Sequence, residues 1–278
     1  MDMKVDAHQH FWNLDRVRYP WLVPEYGPIY RTFEAPELEP LLKSAGIDQT
    51  VLVQAMDSSE DTEYMLEVAS TFDWIGGVVG WVPLDRPDEA ERLLTRYAAE
   101  FPKFKGVRHL IHEEKDPDWV IRPDVLEGLN VLADFGLTFD VVAVFPNHLK
   151  HIPVLAERVP KLNMVIDHLA KPPMRERGWE PWASQLAEAA ACPRVFAKLS
   201  GLNTASNHGV AEEWQPYVDH ALAVFGAERL MFGSDWPVAN LNGDYASVWR
   251  ETLNVLSART PKEVEAILGG TAQRFYRL

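Results

Sequence analysis

Two histidines, His8 and His10, lie two residues apart in the opening segment of the sequence, on a predicted strand at residues 4–11. Side chains two apart on a β-strand point to the same side, so we expect both imidazoles to face one space. Neutral imidazoles are suitable ligands for zinc and other late divalent ions. The pair alone is a weak motif, and it indicates a metal site only together with further groups.

Two later segments supply groups that could complete such a site. His168 lies near the end of a predicted strand at 163–170, and Asp235 lies near the end of another at 230–237. Burying an unpaired carboxylate is costly, so an acid in an enclosed site requires cations or hydrogen-bond donors around it. A histidine bonded within the wall of the fold and an acid that caps a helix are the structural alternatives for these two residues.

The elements that must position these groups alternate along the whole chain. The predicted strands span residues 4–11, 50–55, 75–82, 104–111, 138–143, 163–170, 195–202 and 230–237, and the predicted helices span 62–71, 88–101, 122–135, 148–159, 179–191, 211–225 and 245–256. Such alternation is typical of βαβ units, and near-continuous apolar strands are typical of a parallel sheet. The pattern predicts a single (β/α)8 TIM-type barrel domain over residues 1–278, since such a barrel takes about 250 residues.

Closure of the barrel would bring distant groups together. Strands 1 and 8 become neighbours, so we expect Asp235 beside His8 and His10 at the carboxyl ends of the strands, where barrel enzymes hold their active sites. Residues 13–32 are rich in proline and aromatic residues, and they predict an ordered loop inserted over the barrel mouth. The tail at 261–278 predicts two short helices separated by a pair of glycines.

Composition limits the classes of partner. Acidic groups outnumber basic groups 41 to 27, which gives a formal charge of -14. Such a surface repels phosphate backbones and anionic lipid, so neither nucleic acid nor a membrane is an expected partner. Cys192 is the only cysteine, which excludes an intrachain disulfide and a cysteine-based zinc cluster. No apolar run approaches the roughly 18 residues of a membrane span, so we expect a cytoplasmic protein. The sequence carries no signal for an oligomeric state.

Four motifs, in order along the chain, resemble the amidohydrolase superfamily. They are VDAHQHFW at 5–12, DHLAKP at 167–172, KLSGL at 198–202 and MFGSDWPV at 231–238. More narrowly, they resemble its branch of sugar lactonases and pyrone-dicarboxylate lactonases, which includes L-fuconolactonases and L-rhamnonolactonases. The combination covers nearly the whole chain and is far more specific than any single motif. The resemblance implies a distorted barrel of the metal-dependent-hydrolase type that opens lactone esters.

The resemblance also implies roles for named residues. The family's histidine pair on strand 1 falls on His8 and His10, its strand-6 histidine on His168, and its strand-8 aspartate on Asp235. These four are the expected catalytic residues and, where a metal is present, its ligands. Members with two metals carry a lysine on strand 4 and a histidine on strand 5, whereas this chain has Gly-Val-Arg-His and Phe-Asp-Val there. We therefore expect one divalent ion, zinc or a similar ion, or none.

Lactone hydrolysis needs an activated water and stabilisation of the oxyanion that develops on the carbonyl. We expect Asp235 to act as the general base that takes the proton of the water and later passes it to the ring oxygen. A metal held by His8 and His10 would polarise the carbonyl and lower the pKa of its bound water. Without a metal, the histidines together with Arg108 would act as hydrogen-bond donors, as in an oxyanion hole.

Further polar and aromatic residues lie near strand ends or in the first loop and are expected to contact the substrate. They are Arg108, His109, Gln54, Trp81, Asp140, Trp21 and Lys198. Aromatic side chains suit the C–H face of a sugar ring, and ligand pockets combine such walls with a few polar groups. Few basic residues are expected near the mouth, which favours a neutral sugar lactone as the small-molecule partner over a dicarboxylate.

Three other functions stay open at the level of the sequence. A pyrone-dicarboxylate lactonase and a metal-dependent decarboxylase of the same superfamily would both use the same four residues, His8, His10, His168 and Asp235. A barrel that binds a ligand without turning it over is the non-enzymatic alternative. Opening of a lactone, release of CO₂, and binding without a product distinguish them.

Overall fold

The computed structural model describes residues 3–278. Its strands form one parallel sheet in the order β1 to β8, and they span Val5–Gln9 (β1), Gln49–Val53 (β2), Ile75–Gly80 (β3), Phe104–His109 (β4), Thr138–Val141 (β5), Asn163–Ile166 (β6), Val195–Leu199 (β7) and Leu230–Phe232 (β8). The first and last strands meet through a bridge between Gln9 and Trp236. Two backbone bonds strengthen this seam, from His10 N–H to Trp236 O at 2.7 Å and from Asp235 N–H to His8 O at 2.8 Å. The predicted (β/α)8 barrel is confirmed.

Every strand ends earlier than predicted. β6 ends at Ile166 and β8 at Phe232, whereas the predictions extend to residues 170 and 237. Beyond these ends the backbone enters the left-handed region, with φ of 55° at His168 and 58° at Asp235. Left-handed residues cannot continue a β-strand. The segments 167–170 and 233–237, which were predicted as strand ends, are therefore tight turns that carry the polar site residues.

The helices surround the sheet. They span Ala35–Ala45 (α1), Ser59–Thr71 (α2), Pro87–Glu100 (α3), Pro123–Asp134 (α4), Ile152–Arg158 (α5), Trp182–Ala190 (α6), Leu202–Ala205 (α7), Ala211–Phe225 (α8), Tyr245–Val255 (α9), Pro261–Glu265 (α10) and Thr271–Tyr276 (α11). The sequence did not predict α1, because Pro36 and Pro40 interrupt its pattern and proline is a poor helix residue beyond the first turn. No helix within residues 3–278 is both long and apolar enough to cross a membrane.

The last helix closes the amino-terminal end of the barrel. Phe275 and Tyr276 of α11 pack into an interior cluster with strand side chains such as Val5, Val51 and Met231. The chain reaches this position through a continuous helical path, because a π-helical turn at Ala266–Gly270 joins α10 to α11. The predicted break at the glycine pair is therefore wrong. These glycines serve close packing instead.

One of the two glycines shows this packing directly. A Cβ atom at Gly269 would lie 2.0 Å from the carbonyl oxygen of Met3, a distance at which no side chain fits. The absence of a side chain therefore lets the tail pass directly against the start of β1. This contact brings the carboxyl-terminal helix under the barrel.

Residues 13–32 fold back on themselves beside the end of β1. Trp12 and Phe33 form an antiparallel bridge at the base of the segment, and the Trp12 indole donates to Arg31 O at 2.6 Å. At the other side, the Trp21 indole donates to Ala55 O at 2.7 Å, just beyond β2. These bonds hold Trp21 at the carboxyl ends of the first two strands.

Candidate active site

Four polar residues from three strand ends converge at the carboxyl-terminal end of the barrel. His8 Nε2 and His10 Nε2 are 3.1 Å apart, and they lie 3.7 Å and 3.3 Å from Asp235 Oδ1. His168 Nε2 lies 4.0 Å from the same oxygen. All four residues are buried. The structure thus brings together the residues that the sequence analysis assigned to catalysis.

A buried carboxylate fixes the seam on which this cluster stands. Asp6 Oδ1 accepts the backbone N–H of Ser234 at 2.8 Å and that of His8 at 3.2 Å, and Oδ2 accepts the Tyr245 hydroxyl at 3.1 Å. One side chain of β1 therefore binds both the strand that carries His8 and the turn that carries Asp235. Asp6 lies in the VDAHQHFW motif, but residue spacing in the sequence gave no signal for this role.

A left-handed turn positions His168. Four consecutive non-glycine residues, His168 to Lys171, have φ of 55°, 49°, 62° and 50°. Each such residue costs about 1–2 kcal/mol relative to the right-handed region, so surrounding contacts must hold the turn. The Trp182 indole donates to Leu169 O at 2.8 Å, and Phe145 N–H donates to Ala170 O at 2.9 Å. Backbone strain thus accumulates at the site, where it aims side chains that a strand would point elsewhere.

Gly201 leaves room for the side chains of His168 and Asp235, which both have a left-handed backbone. A Cβ atom at Gly201 would lie 2.7 Å from His168 Nδ1 and 3.3 Å from Asp235 Oδ2. Gly201 also has a φ of 60°, a conformation that glycine adopts without penalty. Two independent reasons therefore require glycine in the KLSGL motif.

Hydrogen bonds set the orientation of two of the imidazoles. His10 Nδ1 lies 2.7 Å from Val53 O, and a carbonyl only accepts, so this nitrogen carries the proton. A neutral His10 then presents the lone pair of Nε2 to Asp235. His168 Nδ1 pairs with Ser200 Oγ at 2.8 Å, which turns its Nε2 toward the same carboxylate.

The electrostatics favour an ionised acid among neutral imidazoles. Burial by itself would raise the pKa of Asp235, but the neighbouring imidazoles of His168, His10 and His8 outweigh burial and lower this pKa below its usual value. Burial lowers the pKa of both His8 and His10, and it lowers that of His168 to about 4. At neutral pH the cluster is therefore one carboxylate surrounded by nitrogen lone pairs and N–H groups.

The same donors fit a divalent cation. A tetrahedral zinc ion with ligands at about 2.0–2.1 Å has its donor atoms about 3.3 Å apart. His8 Nε2, His10 Nε2 and Asp235 Oδ1 are separated by 3.1 Å, 3.3 Å and 3.7 Å, which is close to that spacing. A second group, His8 with Asp167 and His168, shares His8 with the first. His168, an expected metal ligand, belongs only to this second group. The donor spacing supports His8, His10 and Asp235 as the ligand set more directly.

A buried charged network lies beneath His8. Lys198 Nζ donates to Asp140 Oδ2 at 2.5 Å and lies 3.1 Å from Asp167 Oδ1. Tyr276 donates to the same Asp140 oxygen at 2.8 Å. None of the Lys198 and Asp140 surface is exposed to solvent. Lys198 and Asp140, two of the seven residues expected to contact the substrate, thus lie inside the barrel, below the site.

A cavity of about 570 Å³ opens above the cluster. Its walls include His10, His168, Asp235, Arg108, Trp12, Trp21, Tyr26, Ile29, Ala55, Leu110, His112, Glu113, Val142, Val144, Phe145, Pro146, Lys171, Pro172, Pro173, Arg175, Glu176, Thr204, Ala205, Val238 and Leu241. A volume of this size suits a small ligand. Of the expected substrate contacts, Arg108 and Trp21 line it.

The remaining expected contacts are engaged elsewhere. The Trp81 indole donates to His109 Nδ1 at 3.1 Å, while the His109 ring stacks on Trp119 at 3.9 Å. The Gln54 amide donates to Asp57 Oδ1 at 2.8 Å. Because these polar atoms are already paired behind the cavity wall, we replace the expectation of substrate contact by a supporting role. Side-chain direction at the strand ends, which the sequence left undetermined, made the difference.

Sequence reasoning missed several polar residues of the cavity wall. They are His112, Glu113, Lys171, Arg175 and Glu176. Lys171 belongs to the DHLAKP motif, so that motif already contained a signal for it. The others lie in irregular segments after β4 and β6, where residue spacing carries no information on side-chain direction. The mouth therefore carries two cations that the sequence analysis did not expect, Lys171 and Arg175, together with two acids, Glu113 and Glu176.

Known proteins are similar to this chain over nearly its whole length. The family model described as Amidohydrolase matches residues 5–278. A Burkholderia ambifaria protein named L-fucono-1,5-lactonase is 38% identical, over 100% of this chain and 97% of its own. A Burkholderia multivorans protein of the same name is 33% identical, over 99% of this chain and 96% of its own.

Solved structures give the same result. An amidohydrolase from Burkholderia multivorans with bound zinc is 34% identical and superposes with a TM-score of 0.91, over 99% of both chains. A putative 2-pyrone-4,6-dicarboxylic acid hydrolase from Pseudomonas putida, at 23% identity and a TM-score of 0.77 over 100% of this chain and 98% of its own, shares the fold. The resemblance drawn from the four sequence motifs is confirmed, and the chain belongs to the amidohydrolase family.

Proposed function

We propose that this protein is a lactone hydrolase that opens a sugar lactone to its aldonic acid, with L-fucono-1,5-lactone as the first substrate to test. The observation that carries the proposal is the Asp235 carboxylate, ionised and 3.3 Å from His10 Nε2 on the floor of the cavity. The names of the two Burkholderia relatives supply the substrate class.

Asp235 is the proposed general base. Its lowered pKa keeps it ionised at neutral pH, and its position in the cavity wall lets it meet a water molecule beside a bound ester. The carboxylate takes a proton as the water attacks the carbonyl carbon, and it returns this proton to the ring oxygen as the C–O bond breaks. The left-handed turn at Asp235 directs the carboxylate for both steps.

Arg108 is the proposed partner of the substrate carbonyl. Its Nη1 donates to Asp167 Oδ2 at 3.1 Å and its Nη2 donates to Gln54 O, so the guanidinium is held in place. The same side chain lines the cavity, while its Nε has no partner among the described residues. A fixed positive charge near the carbonyl stabilises the oxyanion without having to reorganise during the reaction.

A divalent ion, which we propose is zinc, would be held by His8, His10 and Asp235. The spacing of their donor atoms supports this, as does the bound zinc of the Burkholderia multivorans amidohydrolase. When bound there, such an ion polarises a carbonyl and acidifies a water molecule. The hydrogen bond from His10 to Val53 O orients one ligand for this purpose.

The cavity walls fit a sugar ring. Trp12, Trp21 and Tyr26 form an aromatic side, with Trp12 and Trp21 packed edge to face at 5.5 Å. Val142 and Phe145 add an apolar side. Such surfaces pack against the C–H faces of a ring, while Lys171 at the rim supplies a cation for the carboxylate that hydrolysis produces.

The test is a pH-indicator assay of purified protein with L-fucono-1,5-lactone, L-rhamnono-lactones and 2-pyrone-4,6-dicarboxylate, each with and without chelator. We expect proton release with a sugar lactone, and loss of turnover in chelator that added zinc restores. Turnover of the pyrone substrate alone would contradict the sugar assignment. Full activity after exhaustive chelation would contradict the proposed metal requirement. Binding of a lactone without proton release would contradict the proposed hydrolase activity.

A further inference from the structure

His8 lies between two cationic donors, one at each ring nitrogen. Lys198 Nζ is 3.0 Å from His8 Nδ1, and Arg108 Nη1 is 3.3 Å from His8 Nε2. Ammonium and guanidinium groups donate and never accept, while a neutral imidazole has one lone pair and one N–H. Only one of the two contacts can therefore be a hydrogen bond at any time.

The shorter contact defines one arrangement of protons. If Lys198 donates to Nδ1, the proton of His8 lies on Nε2, where it points at the lone pair of His10 Nε2, 3.1 Å away. The bond from His10 to Val53 O already places that lone pair there. This arrangement satisfies His8 and His10 together, but it leaves His8 Nε2 without the lone pair that a metal ligand needs.

A second arrangement is available in the same site. Asp167 Oδ1 lies 3.3 Å from His8 Nδ1, and it also forms an ion pair with Lys198 Nζ at 3.1 Å. Moving the His8 proton from Nε2 to Nδ1 would let His8 donate to Asp167 Oδ1 beside this ion pair. Lys198 would keep its protons and its bond to Asp140. No proton is gained or lost, and His8 Nε2 acquires a lone pair that can accept from Arg108 Nη1 or coordinate a cation.

We propose that Lys198 is a positioning residue that selects the tautomer of His8, and that binding of a cation at His8 Nε2 requires the His8 proton to move from Nε2 to Nδ1, where Asp167 accepts it. Metal-binding histidines typically donate their other N–H to a carboxylate or carbonyl, which orients the ring. His10 meets this condition through Val53 O at 2.7 Å, whereas His8 meets it only in the second arrangement. This inference rests on the cation site of the proposed function.

The experiment compares two variants in the full-length protein. Lys198→Met removes the cationic donor at His8 Nδ1, but it would leave the buried Asp140 carboxylate without its cation. The first variant therefore combines Lys198→Met with Asp140→Asn. Asp140→Asn alone is the matched control, because it leaves Lys198 beside His8 and keeps an oxygen for Tyr276. Protein labelled with ¹⁵N-histidine and freed of metal reports the protonated nitrogen of His8 by NMR, with the signal assigned by its loss in His8→Gln.

In the wild type we expect an Nε2–H tautomer without metal and an Nδ1–H tautomer after addition of zinc. The double variant should show Nδ1–H without metal, and it should bind zinc about tenfold more tightly or better in a chelator competition. The control should keep the wild-type tautomer and affinity.

An Nδ1–H tautomer in metal-free wild type, or a double variant with wild-type tautomer and affinity, would overturn the proposal. If the double variant does not fold, the two wild-type spectra decide alone. Because no readout uses lactone turnover, failure of the proposed substrate would leave these results intact.

Discussion

Asp235 combines a strained, left-handed backbone with a buried negative charge. It follows the shortest strand of the barrel, has a φ of 58°, and faces three imidazoles within 4.0 Å. Burial would make such a carboxyl hard to ionise, and the imidazoles reverse that tendency. A residue held in this way is ionised at neutral pH and can therefore accept a proton from water.

Replacing Asp235 by asparagine should remove the base and keep the shape. We expect kcat/KM for the lactone that is turned over to fall by about 10²- to 10⁴-fold, the usual contribution of general base catalysis. Steady-state kinetics and circular dichroism check this. Asp134→Asn, an exposed carboxylate on α4, is the matched control and should keep wild-type kinetics. Near wild-type kcat in Asp235→Asn would remove this residue from the mechanism.

Gly201→Ala should damage catalysis through its neighbours. The new methyl group would lie 2.7 Å from His168 Nδ1, so the imidazole must move, and displacement of an active-site group costs about 10- to 100-fold in kcat/KM. Gly46→Ala separates the causes, since Gly46 is also left-handed, with φ of 68° and ψ of 35°, but its added Cβ would meet only Lys4 Nζ at an ordinary contact distance of 3.8 Å. We expect both variants to lose about 1–2 kcal/mol of stability, and only Gly201→Ala to lose activity. Equal kinetics in the two variants would contradict this.

At the scale of elements, loops and turns define the site more than the strands do. The left-handed turn from His168 to Lys171 points His168 at Asp235 and delivers Lys171 to the cavity wall. The indole of Trp182 in α6 supports this turn from behind. A helix on the outside of the barrel thus determines the direction of a side chain on its inside.

Asp61 joins two elements of the cavity wall and predicts a pH dependence of stability. Its carboxylate accepts the Tyr19 hydroxyl at 2.7 Å and the backbone N–H of Ala55 at 2.8 Å, which ties residues 13–32 to the end of β2. Burial outweighs these bonds and raises the pKa of Asp61 from 3.8 to about 6. The unfolded chain therefore ionises this group before the folded protein does.

The sign of the effect follows from that order. The stabilising contribution of protonated Asp61 is complete below pH 3.8 and is lost as the pH rises to about 6. The shift corresponds to about 3 kcal/mol. Between pH 4 and pH 7 we expect the free energy of unfolding of the wild type to fall relative to that of Asp61→Asn by most of this amount in urea titrations. Asp15→Asn, at an exposed site, should parallel the wild type. Parallel curves for wild type and Asp61→Asn would refute the prediction.

At the scale of the whole molecule, the two ends of the chain meet through the barrel interior. Tyr276, two residues from the last position, donates to Asp140, which binds Lys198, which in turn reaches His8 on the first strand. The carboxyl-terminal helix therefore closes the bottom of the barrel and also contacts the polar network under the site. Truncation of this helix would open the interior to water.

Tyr276→Phe should measure this connection. It leaves a buried carboxylate without one of its donors, and an unsatisfied buried group costs about 1–3 kcal/mol. Tyr64→Phe is the control, because the Tyr64 hydroxyl is buried without a partner among residues 3–278 and its removal breaks no bond. Urea unfolding of the two variants should therefore differ by about that amount. Equal stability would show that the Tyr276 hydroxyl contributes nothing.

The sequence by itself determined the barrel, the order of its strands and the identity of the four polar residues at its mouth. The reason is local: alternation of apolar strands with amphipathic helices and the spacing of short motifs are properties of neighbouring residues. The helix α1 was not predicted, because two prolines lie in its first turns.

Only the tertiary structure decided where Lys198, Asp140, Gln54 and His109 point, and it placed them behind or below the cavity that Lys171 and Arg175 line. Side-chain direction at a strand end depends on the turn that follows and on partners distant in sequence. No pattern of neighbouring residues encodes it, because the left-handed backbone at His168 and Asp235 is held by contacts from other elements of the barrel.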